Sequence, residues 1–223
     1  MGLKFMSLLQ FSNVSFSKEG KNILKNLNIH IETGDYISIV GPSGSGKSTF
    51  LKLCNNLISP SEGNIVFNNK VLSEYNPIEL RKKIAYCFQM PYLFGDTVMD
   101  NLIFPFKIRN KKLDINRIKY LFSLFSMDEK FIEEKILNLS GGEKQRIVLM
   151  RTLMFNPKIL LLDEVTSALD SENTLIVENI INKLNNNETT ILWVTHNKEQ
   201  STKYANKLLT FENGEIKSLE VLR

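Results

Sequence analysis

Residues 36–51 read YISIVGPSGSGKSTFL, and this stretch decides the fold. Tyr36–Val40 is a short apolar run of strand type that follows the turn Thr33-Gly34-Asp35. Gly41 to Ser48 fits G-x-x-x-x-G-K-[ST]. A helical run is expected over 48–57, where Phe50, Leu51, Cys54 and Leu57 recur at helix spacing. Strand, glycine-rich loop and helix in this order are the context that a phosphate-binding loop requires. Glycines let the backbone curl so that successive N–H groups face phosphate oxygens, and the helix N-terminus adds partial positive charge. Lys47 brings a full charge to the β- and γ-phosphates, and the Ser48 hydroxyl can ligate Mg2+. The candidate nucleotide-binding set is Gly41, Pro42, Ser43, Gly44, Ser45, Gly46, Lys47, Ser48 and Thr49. A chance glycine-rich turn is the competing reading, and the flanking strand and helix weigh against it.

Three further clusters carry chemistry. Lys158–Asp163 is a continuous apolar run ending in acid, the pattern of a fully buried parallel strand. It delivers Asp163 and Glu164 to a strand end, where unpaired buried charge is costly. A Mg2+ beside the loop gives Asp163 a role, directly or through water, and leaves Glu164 to hold an attacking water as general base. The alternative is an acid capping the next helix. His196 ends the strand TTILWVT (189–195), on the same sheet edge as Asp163; His30 lies in an amphipathic strand away from any motif. Leu139-Ser140-Gly141-Gly142-Glu143 precedes a helix expected over 143–156, with Ile147, Met150, Leu153 and Met154 on one face. Ser-Gly-Gly before a helix is a second anion cradle by the same dipole argument, or an ordinary cap with a flexible turn. Two anion-seeking helix ends mean either two anions or one anion shared by two chains.

The rest of the chain supplies a scaffold. Alternation over 8–16 and 23–31 predicts strands with Leu9, Phe11, Val14, Leu27, Ile29 and Ile31 inward. Strands are expected at 63–72, turning at Asn68-Asn69, and at 83–88. A helical insertion is expected over about 90–156, and helices over 173–184 and 197–206. Asn213-Gly214 closes a final hairpin. Strands separated by helices imply an α/β sheet with active groups at the carboxyl ends of its strands.

Composition sets bounds. The 223 residues suit one domain with an inserted subdomain. Hydrophobic residues at 43% and charged residues at 23% exclude disordered, collagen-like and disulfide-scaffold classes. No apolar run approaches the ~20 residues needed to cross a bilayer. Met1 to Gln10 lacks a leader's apolar core, so a cytoplasmic location is expected. Cys54 and Cys87 read as buried thiols. A net charge of +4 is too weak to indicate nucleic acid.

The loop at Gly41–Ser48, Gln89, LSGGE at 139–143, Asp163-Glu164, SALD at 167–170 and His196 stand in an order and spacing that resembles the ABC ATPases. The resemblance covers essentially the whole chain. It implies a P-loop RecA-like core with an N-terminal antiparallel β subdomain and a helical insertion. It also implies ATP and Mg2+ as cofactors, and a homodimer paired head to tail, each ATP lying between one phosphate loop and the partner's LSGGE. It implies that Gln89 touches Mg2+ and the attacking water, that Ser140 and Gly142 meet the γ-phosphate across the dimer with Gly141 between them in the same nucleotide-binding set, and that Asp163 helps hold Mg2+. Glu164 would be the base, Asp170 would shape the dimer interface, and His196 would contact the γ-phosphate. Two positions depart from the pattern. Lys18 stands where many members stack an aromatic on adenine, which leaves Phe16 either as the stacking ring or as a strand core residue. Val165 stands where importers commonly have Pro.

Stretches 86–110, 139–153, 160–170 and 191–199, above all LFGDTV…DNLIFPF and LWVTH, resemble the ATP-binding subunits of FetAB-type iron-export systems. This implies an integral membrane permease as second partner, no nucleic acid, and a place on the inner face of the cell membrane. Phe88, Tyr92, Leu93, Phe94, Phe104 and Phe106 either pack inside the insertion or receive a short helix of that permease. The alternatives are an ABC-type ATPase acting in DNA repair or translation, for whose usual coiled coils or zinc modules the chain has no room, and a non-hydrolysing interaction module, against which Glu164 and His196 argue.

Overall fold

The N-terminal alternation becomes β1 (Leu9–Lys18) and β2 (Lys21–Ile31), followed by β3 (Tyr36–Val40), α1 (Lys47–Cys54), β4 (Glu62–Phe67), β5 (Lys70–Val71), α2 (Pro77–Lys83) and β6 (Ile84–Cys87). Then come α3 (Val98–Lys107), α4 (Ile115–Leu124), α5 (Gly141–Thr152), β7 (Ile159–Asp163), α6 (Ser171–Asn186), β8 (Thr190–Val194), α7 (Lys198–Lys203), β9 (Lys207–Glu212) and β10 (Glu215–Val221). The computed structural model describes residues 7–223, so most of the Met1 to Gln10 stretch read as carrying no leader lies outside the described residues. Two compact units emerge. One holds the chain up to Tyr86 with Lys158–Asp163 and Asn185–Arg223; the other holds Cys87–Pro157 and Glu164–Leu184.

The first unit contains both sheets. A four-stranded antiparallel sheet runs β2-β1-β4-β5, and a six-stranded sheet runs β10-β9-β3-β8-β7-β6. In the larger sheet β3 lies parallel to both β8 and β9, and β7 parallel to β8. Every residue of β7 and β8 is buried, as continuous apolar runs covered on both faces should be. Helix α1 joins the two sheets through Phe50, whose ring sits 4.9 Å from Phe11 of β1 and 5.3 Å from Phe211 of β9. Burying such a ring completely stabilises the unit by about 1.5–3 kcal/mol. Asn68 and Asn69 both take left-handed φ, as do Asn213 and Gly214, so both hairpins turn where the sequence indicated. Cys54 and Cys87 are buried free thiols, and burial pushes the Cys54 thiol up. His30 is exposed on β2 opposite Gln10.

Several boundaries differ from expectation. Helix α1 stops at Cys54 rather than Leu57, because Asn55 ends it and Asn56 turns left-handed at φ 53. Helix α5 starts at Gly141 rather than Glu143, since Ser140 is its N-cap, and ends at Thr152 rather than at Asn156, with Leu153 as its C-cap. Helix α2 has no counterpart in the sequence reading. Its signal was present: Asn76 accepts from the N–H groups of Ile78 and Glu79, and Pro77 opens the first turn.

In the second unit α3 packs against α5, and Leu102 and Phe106 of α3 and Ile147 and Met150 of α5 are buried. Thr97 and Asp100 form a capping box at the start of α3. Asn101 is fully buried, and it donates to Phe94 O and Thr97 O and accepts from Phe94 N and Arg151. Its polar groups are thus satisfied within the core.

Candidate functional site

In the first unit the strand ends converge on one edge. The loop after β3, the end of β7 and the residues after β8 follow three adjacent parallel strands. Gly41 has φ 143 and Gly46 φ 102, both left-handed. A Cβ at Gly41 would stand 2.2 Å from the Phe211 carbonyl oxygen, and one at Gly46 2.4 Å from Leu24 Cδ2. No side chain other than glycine fits either position without displacement. Gly46 is also the N-cap of α1 and offers no capping side chain, so the first N–H groups of the helix stay available to an anion. Ser45 Oγ is buried without a hydrogen-bond partner, a polar atom turned into the loop fold that asks for a ligand oxygen. These features fit a bound phosphate chain.

Lys47 is only 5% exposed, and its Nζ donates to Gly41 O at 2.9 Å and Pro42 O at 2.8 Å. Ser48 Oγ donates to Asp163 Oδ1 at 2.9 Å. The other Asp163 oxygen accepts from the Tyr86 hydroxyl at 2.7 Å. A hydroxyl and a carboxylate side by side are hard oxygen donors of the kind Mg2+ prefers, so Ser48 and Asp163 fit a site that would hold it. Tyr86 was not among the sequence candidates. Its neighbour in space, Asp163, is remote in sequence, and only the pairing of β6 beside β7 brings the two together.

His196 is exposed just beyond β8, between buried Thr195 and Asn197, whose side chain caps α7. Thr195 Oγ1 donates to Gln200 Oε1, which ties this turn to α7. Phe16 is half-buried on β1, paired with Leu24 and packed against the core, while Lys18 is exposed at the strand end.

In the second unit Gln89 Nε2 donates to Glu164 Oε2 at 2.9 Å. Glu164 has φ 49, a left-handed conformation uncommon for a residue other than Gly, Asn or Asp. Its carbonyl accepts from Ser167 N, so the chain turns sharply straight after the acid pair. Asp170 is not a free carboxylate: the backbone N–H of Asn173 and then its side-chain amide donate to it, holding its carboxyl below the usual range. Ser140 accepts from Glu143 N, and Glu143 Oε2 accepts from both the Ser140 hydroxyl and its backbone N–H. Those bonds, the hydroxyl's first, hold the Glu143 carboxyl below its ordinary value. Gly141 and Gly142 lie inside the first helical turn, and not before it as the sequence suggested. A Cβ at Gly141 would meet nothing, and one at Gly142 only an ordinary contact with Leu169.

The aromatic segment divides. Phe106 is buried against Phe155, and Phe94 packs edge-on to Phe104 at 4.8 Å. Phe88, Met90 and Tyr92 face outward, Tyr92 being 74% exposed.

The ABC transporter family model matches residues 24–167. The "Probable iron export ATP-binding protein FetA" of Escherichia coli (strain K12) is 43% identical over 92% of this chain and 91% of its own length. The "Ergothioneine transport ATP-binding protein EgtV" of Helicobacter pylori (strain G27) is 36% identical, over 96% of this chain and 99% of its own. Among solved structures, a dimeric ATP-binding cassette in a post-hydrolysis state bound to ADP and Pi superposes with a TM-score of 0.88 at 31% identity, covering 96% of this chain and 99% of that one. The fold is the P-loop α/β arrangement that the loop at Gly41–Ser48 called for, and the chain belongs to the ABC transporter family, as an ATP-binding, ATP-hydrolysing subunit.

Proposed function

We propose that this chain, a single nucleotide-binding domain with a helical subdomain inserted at about 90–156, powers export of iron or another metal through a separate membrane permease. It would work as a head-to-tail homodimer on the inner face of the cell membrane. The observation that carries the dimer is the bareness of Gly141 and Gly142. Each glycine costs a helix about 1 kcal/mol relative to alanine. Neither has a positive φ, and neither is crowded within this chain. A reason for their missing side chains therefore lies outside the chain, and close approach of a partner's nucleotide to the turn after Ser140 supplies one. The dimeric cassette noted above is consistent with it.

ATP would lie along Gly41–Thr49, with Lys47 opposing the triphosphate charge and the edge of Phe16 serving the adenine. Ser48 and Asp163 would hold Mg2+, and the resemblance adds Gln89 to that set. The metal would neutralise charge developing on the phosphate oxygens. Glu164, held by Gln89, is the candidate base for the attacking water. Asp170 would order the dimer interface from the start of α6, and His196 would meet the γ-phosphate. The outward cluster of Phe88, Met90 and Tyr92 would receive a short helix of the permease.

Iron rests on the similarity to FetA, and relatives of comparable coverage are named for other cargoes. The test is to purify the intact complex from its own membranes, identify the second chain and place it in vesicles. ATP-dependent movement of iron, lost in Glu164→Gln, is the expected result. Movement of an organic cation instead of a metal would overturn the cargo while leaving the ATPase intact.

A further inference from the structure

Asp163 is only 5% exposed, and each of its carboxylate oxygens has its own donor. Ser48 Oγ holds Oδ1 at 2.9 Å and the Tyr86 hydroxyl holds Oδ2 at 2.7 Å. A single donor would leave the carboxylate free to turn about its last side-chain bond. Two donors on opposite oxygens fix its plane. The Tyr86 ring is half-buried and packs against the core of the first unit. Its position is therefore set by packing and the short strand β6, while the hydroxyl does separate work at its tip. A phenol donating to a carboxylate makes a short, charge-assisted bond, and 2.7 Å is the length expected of one.

We propose that Tyr86 is a positioning residue for the divalent cation: by pinning Oδ2, its hydroxyl turns Asp163 Oδ1 and the Ser48 hydroxyl toward the metal in one preformed geometry. This rests on the assignment of Asp163 and Ser48 to Mg2+ above. Partners of this kind orient metal-binding groups, and removing one commonly weakens metal affinity by about 10–100-fold.

The test uses the full chain with Mn2+ as probe and a slowly hydrolysed ATP analogue, reading free Mn2+ by electron paramagnetic resonance. Tyr86→Phe keeps the ring and removes the donor. It is expected to raise the Mn2+ dissociation constant by about 10-fold or more, to leave metal-free binding of the analogue unchanged, and to regain hydrolysis when Mg2+ is raised. A merely structural role would lower thermal stability and metal-free nucleotide binding together, without moving the metal constant separately. Tyr86→Met, also without a donor, must show the same loss and serves if the Phe variant does not fold. Asp163→Asn is the control. If it weakens Mn2+ and both Tyr86 variants do not, the proposal for Tyr86 is overturned and the metal assignment stands. If Asp163→Asn also leaves Mn2+ binding unchanged, the metal assignment itself falls.

Discussion

Gln89 Nε2 and Glu164 Oε2, 75 residues apart in sequence, are joined by a 2.9 Å hydrogen bond. The bond ties the candidate base to a segment that also exposes Phe88, Met90 and Tyr92. Glu164 is placed by a left-handed backbone and a turn to Ser167, and its carboxylate by Gln89. Glu164→Gln therefore removes charge and basicity while leaving two amides able to pair. Hydrolysis is expected to fall by about 10²–10⁴-fold, the usual contribution of a general base. ATP still binds, since Lys47, Ser48 and the loop are untouched, and the variant collects as an ATP-bound dimer. Phosphate release and size exclusion with ATP and Mg2+ read both effects; a monomer hydrolysing at the wild-type rate would refute the base and the dimer clamp together.

Lys47→Ala removes the buried ammonium from the loop and is expected to abolish hydrolysis alone. Ser140→Arg fills the bare turn at the start of α5 and is expected to do the same. Mixed, the two chains give a heterodimer with one doubly damaged site and one intact site. Partial recovery of ATPase activity on mixing is the expected outcome. No recovery, together with failure to crosslink Ser140 across a trapped ATP to the opposite loop, would exclude a shared site.

The Ser140–Glu143 capping box makes α5 sensitive to acid. The Glu143 carboxyl lies below its ordinary value in the fold, because the Ser140 hydroxyl and backbone N–H donate to its charged form. A depressed folded value means that the box contributes fully above the unfolded glutamate pKa of about 4.3. The contribution is lost as pH falls through the folded value. The stability gap between wild type and Glu143→Gln should be open near neutrality and close in acid. Ser140→Ala should cost about 1 kcal/mol at neutral pH. Denaturant midpoints across the acid range measure both; a gap that widens in acid would contradict the sign.

Phe16 packs on the core and opposite Leu24. Phe16→Ala should lower stability by about 1–3 kcal/mol, less than a fully buried ring because part of it is solvated. Stacking on adenine would add a loss of ATP affinity at the low end of about 1–3 kcal/mol. Urea denaturation and nucleotide titration of the folded variant separate the two. A stability loss with unchanged affinity would assign the ring wholly to the core.

The phosphate loop, α1, β7, β8 and the closing hairpin were legible in the sequence because each is a local pattern. Glycine spacing marks backbone that only glycine tolerates, and an apolar run ending in acid marks a buried strand that delivers a carboxylate to its end. The Gly41–Ser48 loop with its flanking strand and helix therefore determined nucleotide binding from the chain alone. Helix α2 carries a local signal too, the Asn76 cap followed by Pro77, but it is short and has no apolar periodicity to mark it. Other features belong to the tertiary structure. Tyr86 meets Asp163 only because β6 lies beside β7, and no periodicity along the chain encodes which strands become neighbours. Glu164 takes its left-handed turn where intrinsic preference disfavours it, so surrounding structure must impose it. The sequence places Gly141 and Gly142 ahead of the helix, as a second anion cradle or as a flexible turn at its cap. The Ser140–Glu143 box pulls them into the first turn, because two reciprocal hydrogen bonds at the cap outweigh the helix penalty of two glycines.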